Sequence, residues 1–85
     1  MKILMVCLGN ICRSPLAEGI MRSKIEQHEL PWEVDSAGTS GHHNGQKPDT
    51  RSIEVAKKNG LDINDQRSRK LKASDLNEFD LVCAM

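Results

Sequence analysis

A short apolar run, Ile3-Leu4-Met5-Val6, is broken three residues on by Gly9-Asn10, and nine residues on the chain places Pro15. An unbroken apolar run of this length predicts a strand buried on both faces, which belongs inside a parallel sheet. Proline is favoured in the first turn of a helix, where its missing N–H would have no partner anyway. The chain is therefore committed from its start to a strand, a polar loop and a helix. Such a unit closes through a right-handed crossover onto a second parallel strand. The downstream pattern supplies that strand. A helix from Pro15 carries Leu16, Ile20, Met21, Ile25 and His28 on one face and ends at Pro31. Trp32 to Ser36 predicts the second strand, closed by Ala37-Gly38, and a long loop runs from Thr39 to Pro48.

A second helix is expected with Asp49 or Thr50 as its cap, Ile53, Val55-Ala56 and Leu61 as a modest apolar stripe, and Asn59-Gly60 as its stop. Asp65 to Lys72 is strongly polar and basic, and its Arg67 to Lys72 cluster is expected to be a solvated face. Ser74-Asp75-Leu76 forms a short helical turn, and Phe79 to Ala84 a third buried strand. This order predicts an α/β fold of three layers with a parallel sheet of three strands, as one domain over residues 1–85.

Charge and composition narrow the functions open to such a chain. Twelve Lys and Arg balance twelve Asp and Glu, so the basic excess of a nucleic-acid or membrane-surface binder is missing. Aromatic residues are limited to Trp32 and Phe79, too few for a base-stacking platform. The apolar start is too short for a secretion signal, and no run approaches the length of a membrane span. Three cysteines make neither a disulfide framework nor a zinc-binding pair, and His28, His42 and His43 lack a partner ligand at helical spacing; no metal or cofactor is expected. A reducing, cytoplasmic setting with a functional thiol fits this usage. The plainer alternative is three cysteines buried as small hydrophobes, and Cys83 inside its apolar strand is expected to be core.

The chemistry is concentrated in Cys7-Leu8-Gly9-Asn10-Ile11-Cys12-Arg13-Ser14. It lies between a strand end and a helix start, where unpaired N–H groups and the helix dipole favour an anion. If the loop wraps with its N–H groups inward, it forms a nest for a tetrahedral oxyanion. Arg13 closes the ring with bidentate hydrogen bonds, and Cys7 lies beneath. A thiol so placed is held as thiolate near neutral pH, with Ser14 as a further donor. Gly9 and Asn10 are residue types that tolerate the left-handed geometry of a tight loop.

The stretch from Cys7 through Pro15-Leu16-Ala17-Glu18 resembles the phosphate loop of low-molecular-weight protein tyrosine phosphatases. The resemblance continues in Trp32-x-Val34-Asp35-Ser36-Ala37-Gly38-Thr39, in Gly45-x-x-x-Asp49-x-Arg51, in Ser68-Arg69 and in Phe79 to Met85. It implies the phosphotyrosine phosphatase I-like fold and a cytoplasmic, cofactor-free hydrolase of phosphotyrosine or small aryl phosphates. It further implies Cys7 as the nucleophile forming a cysteinyl-phosphate, and Arg13 as the group that holds the equatorial oxygens. Leu8, Gly9, Asn10, Ile11, Cys12 and Ser14 form the phosphate loop; Asn10, Ser14 and Ser36 are its supporting network. Cys12 is implied to trap oxidised Cys7 as a reversible disulfide, and Leu8 with His42-His43 to flank the entrance.

Two departures from the family pattern stand out. Gln66 occupies the position of a network histidine, so that link is remade or lost. The general acid, an Asp in a loop beyond the third strand, has no match, and Asp35, Asp49 and Asp80 are not its substitutes. The chain is accordingly expected to be C-terminally truncated relative to the family and impaired in turnover. Its closing apolar strand is expected to pair with a second copy or to belong to a longer parent. Two alternatives remain. One is a thiol-dependent arsenate reductase, suggested by Cys7, Cys12 and Cys83; the other is a phosphate-binding, self-associating fragment without catalysis. The Arg67 to Lys72 basic cluster, in which Arg69 alone has a family match, is expected to be a solvated face that helps attract an anionic substrate.

Overall fold

The computed structural model describes residues 1–85, and the elements follow the order β1 (Lys2–Cys7), α1 (Arg13–Gln27), β2 (Glu33–Gly38), α2 (Thr50–Lys58), α3 (Asp75–Glu78), β3 (Leu81–Ala84). The sheet is parallel with strand order β2-β1-β3. The apolar first strand is thus the central one, and Ile3 to Cys7 are all buried. Cys7 pairs in register with Gly38 of β2, which places the strand–loop–helix junction beside the end of β2.

The two faces of the sheet are filled differently. Leu4, Val6 and Ala37 form a small apolar core, covered by Leu71, Phe79 and Val82. On the other face lies α1, packed against β1, β2 and α2. Of the predicted apolar face of α1 only Ile25 is fully buried, and the rest of the buried stripe is made of other residues. Ser14, Pro15, Glu18, Gly19 and Ile25 are buried, while Ile20 is 50% exposed. The inner stripe is polar because its side chains bond one another and β2, which removes the cost of taking them out of water. Helix α1 also begins two residues before Pro15, which occupies the third helical position, still within the first turn, where no intrahelical acceptor is needed.

Helix α2 starts as expected from Asp49, whose carboxylate accepts from the Arg51 amide at 3.2 Å. It buries Ser52 and Ala56, whereas Val55 is 50% exposed and drops out of the predicted stripe. Strand β2 runs through Ala37 and Gly38 rather than stopping before them, and Trp32 precedes it. Strand β3 is shorter than predicted and only partly covered, with Leu81 at 47% exposure and Cys83 half-buried rather than core. No helix is long and apolar enough to cross a membrane.

Arg67, Lys70 and Lys72 are exposed, as expected of a solvated basic face, but Arg69 and the backbone that carries the cluster are threaded into the fold. Gln66 and Ser68 are buried. Lys70 bridges Gly38 in parallel, through Gly38 N–H to Arg69 C=O at 2.8 Å and Leu71 N–H to Gly38 C=O at 2.7 Å. Arg69 does not face the loop mouth. Its Nε donates to Asp35 at 3.1 Å, and its Nη1 and Nη2 grip both oxygens of buried Asp75 at 3.0 and 3.2 Å. The Arg69 guanidinium holds the Asp75 carboxyl below the usual carboxylate range. The stability this pair contributes is present above the unfolded value of about 3.9 and is lost as pH falls through the lowered one. Asp75→Asn is expected to flatten the acid limb of stability against pH, measured by denaturant unfolding; an unchanged limb contradicts the clamp.

Candidate active site

Between Cys7 and Arg13 the backbone turns its carbonyls outward. Cys7 C=O accepts from the Thr39 amide at 3.1 Å, Leu8 C=O from Ser40 at 3.0 Å and Ile11 C=O from Asp49 at 2.6 Å. Cys12 C=O accepts from the Leu16 amide and the Ser52 hydroxyl, both at 3.4 Å. The amides of Leu8, Gly9, Ile11, Cys12 and Arg13 donate to no backbone carbonyl. Three separate pieces of chain, the start of the long loop, the cap of α2 and the first turn of α1, thus fix one side of the loop and leave its donors facing the other. Cys7, Leu8, Gly9, Ile11, Cys12 and Arg13 line a pocket of about 240 Å³ on that side. A ring of free amides at a helix N-terminus is an anion site.

Cys7 lies at the floor, 6% exposed. Burial pushes its thiol up, but the Ser14 hydroxyl and the amides of Ser14, Asn10 and Gly9 outweigh burial and bring it below the ordinary value. The Ser14 Oγ is 3.0 Å from Sγ, and the Asn10 amide donates to Sγ at 3.3 Å. Arg13 is exposed at the lip, in the first turn of α1. Its guanidinium joins no ion pair within the chain, so its fork is free for a ligand.

Asn10 shapes the loop from beneath. It adopts φ 57°, a conformation Asn tolerates better than most residues. Its Nδ2 donates to Ser14 Oγ at 2.7 Å and to Ser36 Oγ at 2.9 Å, and its Oδ1 accepts from the Arg69 amide at 3.0 Å. The Ser36 hydroxyl continues to Glu18 Oε1 at 2.6 Å, and Glu18 Oε2 is paired with Arg22 one turn along α1. Burial pushes the Glu18 carboxyl up, opposed by the Ser36 hydroxyl and Arg22. The structure therefore gathers Asn10, Ser14 and Ser36 into one network and adds Glu18, Arg22 and the Arg69 backbone. Glu18 escaped a reading based on apolar periodicity, although its spacing of four from both Ser14 and Arg22 puts all three on one helical face.

Gly38 closes the back of the loop. A Cβ there would lie 2.9 Å from the Gly9 carbonyl carbon and 3.0 Å from Asn10 N and Cβ. Gly38→Ala is expected to destabilise the fold by about 1–3 kcal/mol, as overpacking does, and to slow Cys7 alkylation as the loop shifts. Unchanged melting and alkylation would contradict that fit.

Gln66 stays outside this network. Its Nε2 donates to Pro15 C=O at 3.0 Å and its buried Oε1 has no partner. His42 and half-buried His43 line a groove of about 380 Å³ with Leu8, Gly9, Ile11 and Ser40, adjoining the loop as expected, and His43 is tethered to Gln46 at 3.1 Å. Asp35, Asp49 and Asp80 are engaged elsewhere, by Arg69, by the Arg51 amide and by the Lys2 amide. The largest cavity, about 620 Å³, runs beside β2 past Trp32 and Phe79 and touches no loop residue.

The family model for low molecular weight phosphotyrosine protein phosphatases matches residues 2–85. The chain belongs to that family. It is 46% identical to the low molecular weight phosphotyrosine protein phosphatase of Schizosaccharomyces pombe, covering 99% of this chain and 55% of the relative. A protein tyrosine phosphatase from Entamoeba histolytica, solved in a state mimicking the product complex, superposes with a TM-score of 0.95 at 46% identity, covering 100% of this chain and 55% of that one. A Drosophila arginine phosphatase superposes equally well, with a TM-score of 0.95 at 38% identity over 100% of this chain and 54% of the other. The chain thus spans about half the length of these family members. What this span contains is the Cys7–Arg13 loop, with the outward carbonyl bonds that hold it.

Proposed function

We propose that this chain supplies the nucleophile and phosphate-binding half of a protein tyrosine phosphatase, acting on phosphotyrosine or a small aryl phosphate. The observation that carries the reading is the loop itself: carbonyls bonded outward, amides free inward, Cys7 below and Arg13 at the lip. A phosphate monoester is a tetrahedral dianion, and these donors match its non-bridging oxygens. The thiolate of Cys7 attacks phosphorus in line and forms the S–P bond while the bond to the aryl oxygen breaks. Charge on the equatorial oxygens is met by the inward amides and the Arg13 fork, which is where most of the rate enhancement arises. Water then cleaves the cysteinyl-phosphate and releases inorganic phosphate, restoring the thiolate.

The leaving aryl oxygen needs a proton. None of Asp35, Asp49 and Asp80 is free to give it, and the family resemblance assigns that acid to a loop beyond the third strand. Turnover that falls steeply as the leaving group becomes a poorer one is therefore expected of these residues acting alone. The apolar rim of Leu8 and Ile11 supports a flat aryl group over a guanidinium, which would lack a carboxylate partner there. Hydrolysis of para-nitrophenyl phosphate, compared with phosphoarginine hydrolysis and thiol-coupled arsenate reduction, tests the reading. Aryl phosphate turnover is expected to dominate. Robust arsenate or phosphoarginine turnover, or phosphate binding with no hydrolysis of any ester, overturns it.

A further inference from the structure

The long loop that carries His42 and His43 is tied at both ends and at one place between. Its start is held by the Thr39 and Ser40 amides, on Cys7 and Leu8, and its end by the Asp49 amide on Ile11. From His43 to Pro48, every hydrogen bond that leaves the loop ends on Ser68 or Lys70. Ser68 carries most of that tie. Its C=O accepts from the Gly45 amide at 2.7 Å, and its N–H donates to Gln46 C=O at 2.8 Å. Its hydroxyl donates to His43 C=O and accepts from the Gln46 amide at 3.3 Å. The Lys70 amide adds one bond, to Asn44 Oδ1 at 3.1 Å. Ser68 is 5% exposed, so water has little room to take over its bonds.

What this tie holds in place is the His43 ring. Its Nδ1 is bonded to Gln46 Oε1, an oxygen that only accepts, so Nδ1 carries the proton and the neutral ring keeps Nε2 free. Another edge of the ring rests on Gly9, where a Cβ would lie 3.2 Å from His43 Cδ2. Both residues line the groove that adjoins the phosphate loop. Ser68 therefore bonds the main chain of His43, which supplies the ring, and of Gln46, which tethers it. We propose that Ser68 is a positioning residue for substrate, holding the His43 ring against Gly9 as one wall of the groove that takes the aryl group. The inference deepens the phosphatase reading and rests on it for the aryl occupant. The bonds that hold the phosphate loop end on other residues, so the role concerns the groove and not the cradle. The His43 C=O and the Gln46 amide also bond each other at 3.0 Å, so loss of the Ser68 hydroxyl strands neither group. It leaves the two main-chain bonds in place, and the loop stays attached but opens more often at His43.

The test reads the His43 ring rather than turnover, which keeps it separate from the phosphatase reading. Acylation by diethyl pyrocarbonate is followed in the full chain, with His28, His42 and His43 resolved by fragment mass spectrometry. Ser68→Ala is expected to speed acylation of His43 about fivefold, the scale of one or two buried hydrogen bonds, and to leave His28 at its parent rate. In the parent, saturating phenylphosphonate is expected to shield His43 while inorganic phosphate leaves it open, because only the first puts a ring in the groove. In turnover of para-nitrophenyl phosphate, Ser68→Ala is expected to raise KM about as much as it speeds acylation, with kcat little changed. General damage to the fold would lower kcat instead. The proposal is overturned by an unchanged His43 rate in Ser68→Ala, by an equal rise at His28, or by phenylphosphonate that shields His43 no better than phosphate. Should Ser68→Ala fail to fold, Ser68→Cys, whose thiol is only a weak donor, takes its place under the same outcomes. A chain with this acylation pattern that hydrolyses no phosphate ester would defeat the phosphatase reading and leave the role of Ser68 standing.

Discussion

Cys7→Ser is expected to abolish hydrolysis of para-nitrophenyl phosphate while inorganic phosphate still binds. The serine hydroxyl is smaller than the thiol and crowds nothing, and the outward bonds from Thr39, Ser40, Asp49, Leu16 and Ser52 do not involve it. The ring of amides and the Arg13 fork therefore keep their places, and with them the affinity for a tetrahedral dianion. What is lost is the charge of the nucleophile. The donors around Sγ bring a thiol below its ordinary value, but a hydroxyl starts so far above neutrality that the same donors leave it protonated. Removal of a covalent nucleophile elsewhere costs on the order of 10^6 in kcat, and a loss of that size is expected. Calorimetric titration with phosphate and a steady-state assay on the same preparation check both halves. Measurable turnover by the serine variant contradicts the nucleophile assignment, and loss of phosphate binding contradicts the independence of the cradle.

Arg13→Lys is expected to lower kcat by roughly 10^2–10^3-fold, the usual cost of removing a preorganised oxyanion donor. Charge is kept in this variant and only the fork is lost. A guanidinium reaches two phosphoryl oxygens at once, whereas an ammonium offers a single point of charge on a flexible stem. Arg13 lies at the lip without an ion pair, so its replacement disturbs little of the scaffold, and the melting temperature is expected to hold. The loss should fall on kcat more than on KM, because the equatorial oxygens gain their contacts most strongly as the leaving group departs. Near-parental kinetics would show that net charge at the lip is enough and that bidentate geometry plays no part.

The parts of the fold legible in the sequence are those that announce themselves through apolar runs, Pro and caps. The run Ile3 to Val6, Pro15 in the first turn of α1 and Asp49 at the start of α2 locate the central strand and both main helices. Cys7, Asn10, Arg13 and Ser14 follow from that frame, because a thiol between a strand end and a helix start can hardly avoid the free amides there. Periodicity failed where burial rests on hydrogen bonds. The inner face of α1 carries Ser14 and Glu18, and their partners Ser36, Asn10 and Arg22 lie on other turns and strands. A pattern of apolar residues gives no sign of such a face, and it points Ile20 inward although Ile20 is half exposed. The same holds for Arg69. Its cluster of charges suggests solvent or substrate, but Asp35, far off in sequence, and Asp75, six residues on, take the guanidinium while its backbone closes on Gly38 and Asn10. Long-range pairing of this kind is invisible to any local window.

In the proposed reaction the Cys7–Arg13 loop brings a phosphoryl group onto sulfur. Acid quenching of the chain during turnover of para-nitrophenyl phosphate, followed by fragment mass spectrometry, tests it most directly. One added phosphoryl group is expected on the Cys7 side chain, absent from Cys7→Ser and accumulating further when water attack is slowed. A chain that releases nitrophenol at the full rate with Cys7 unmodified, or with the phosphoryl group on Cys12 or Ser14, would contradict it.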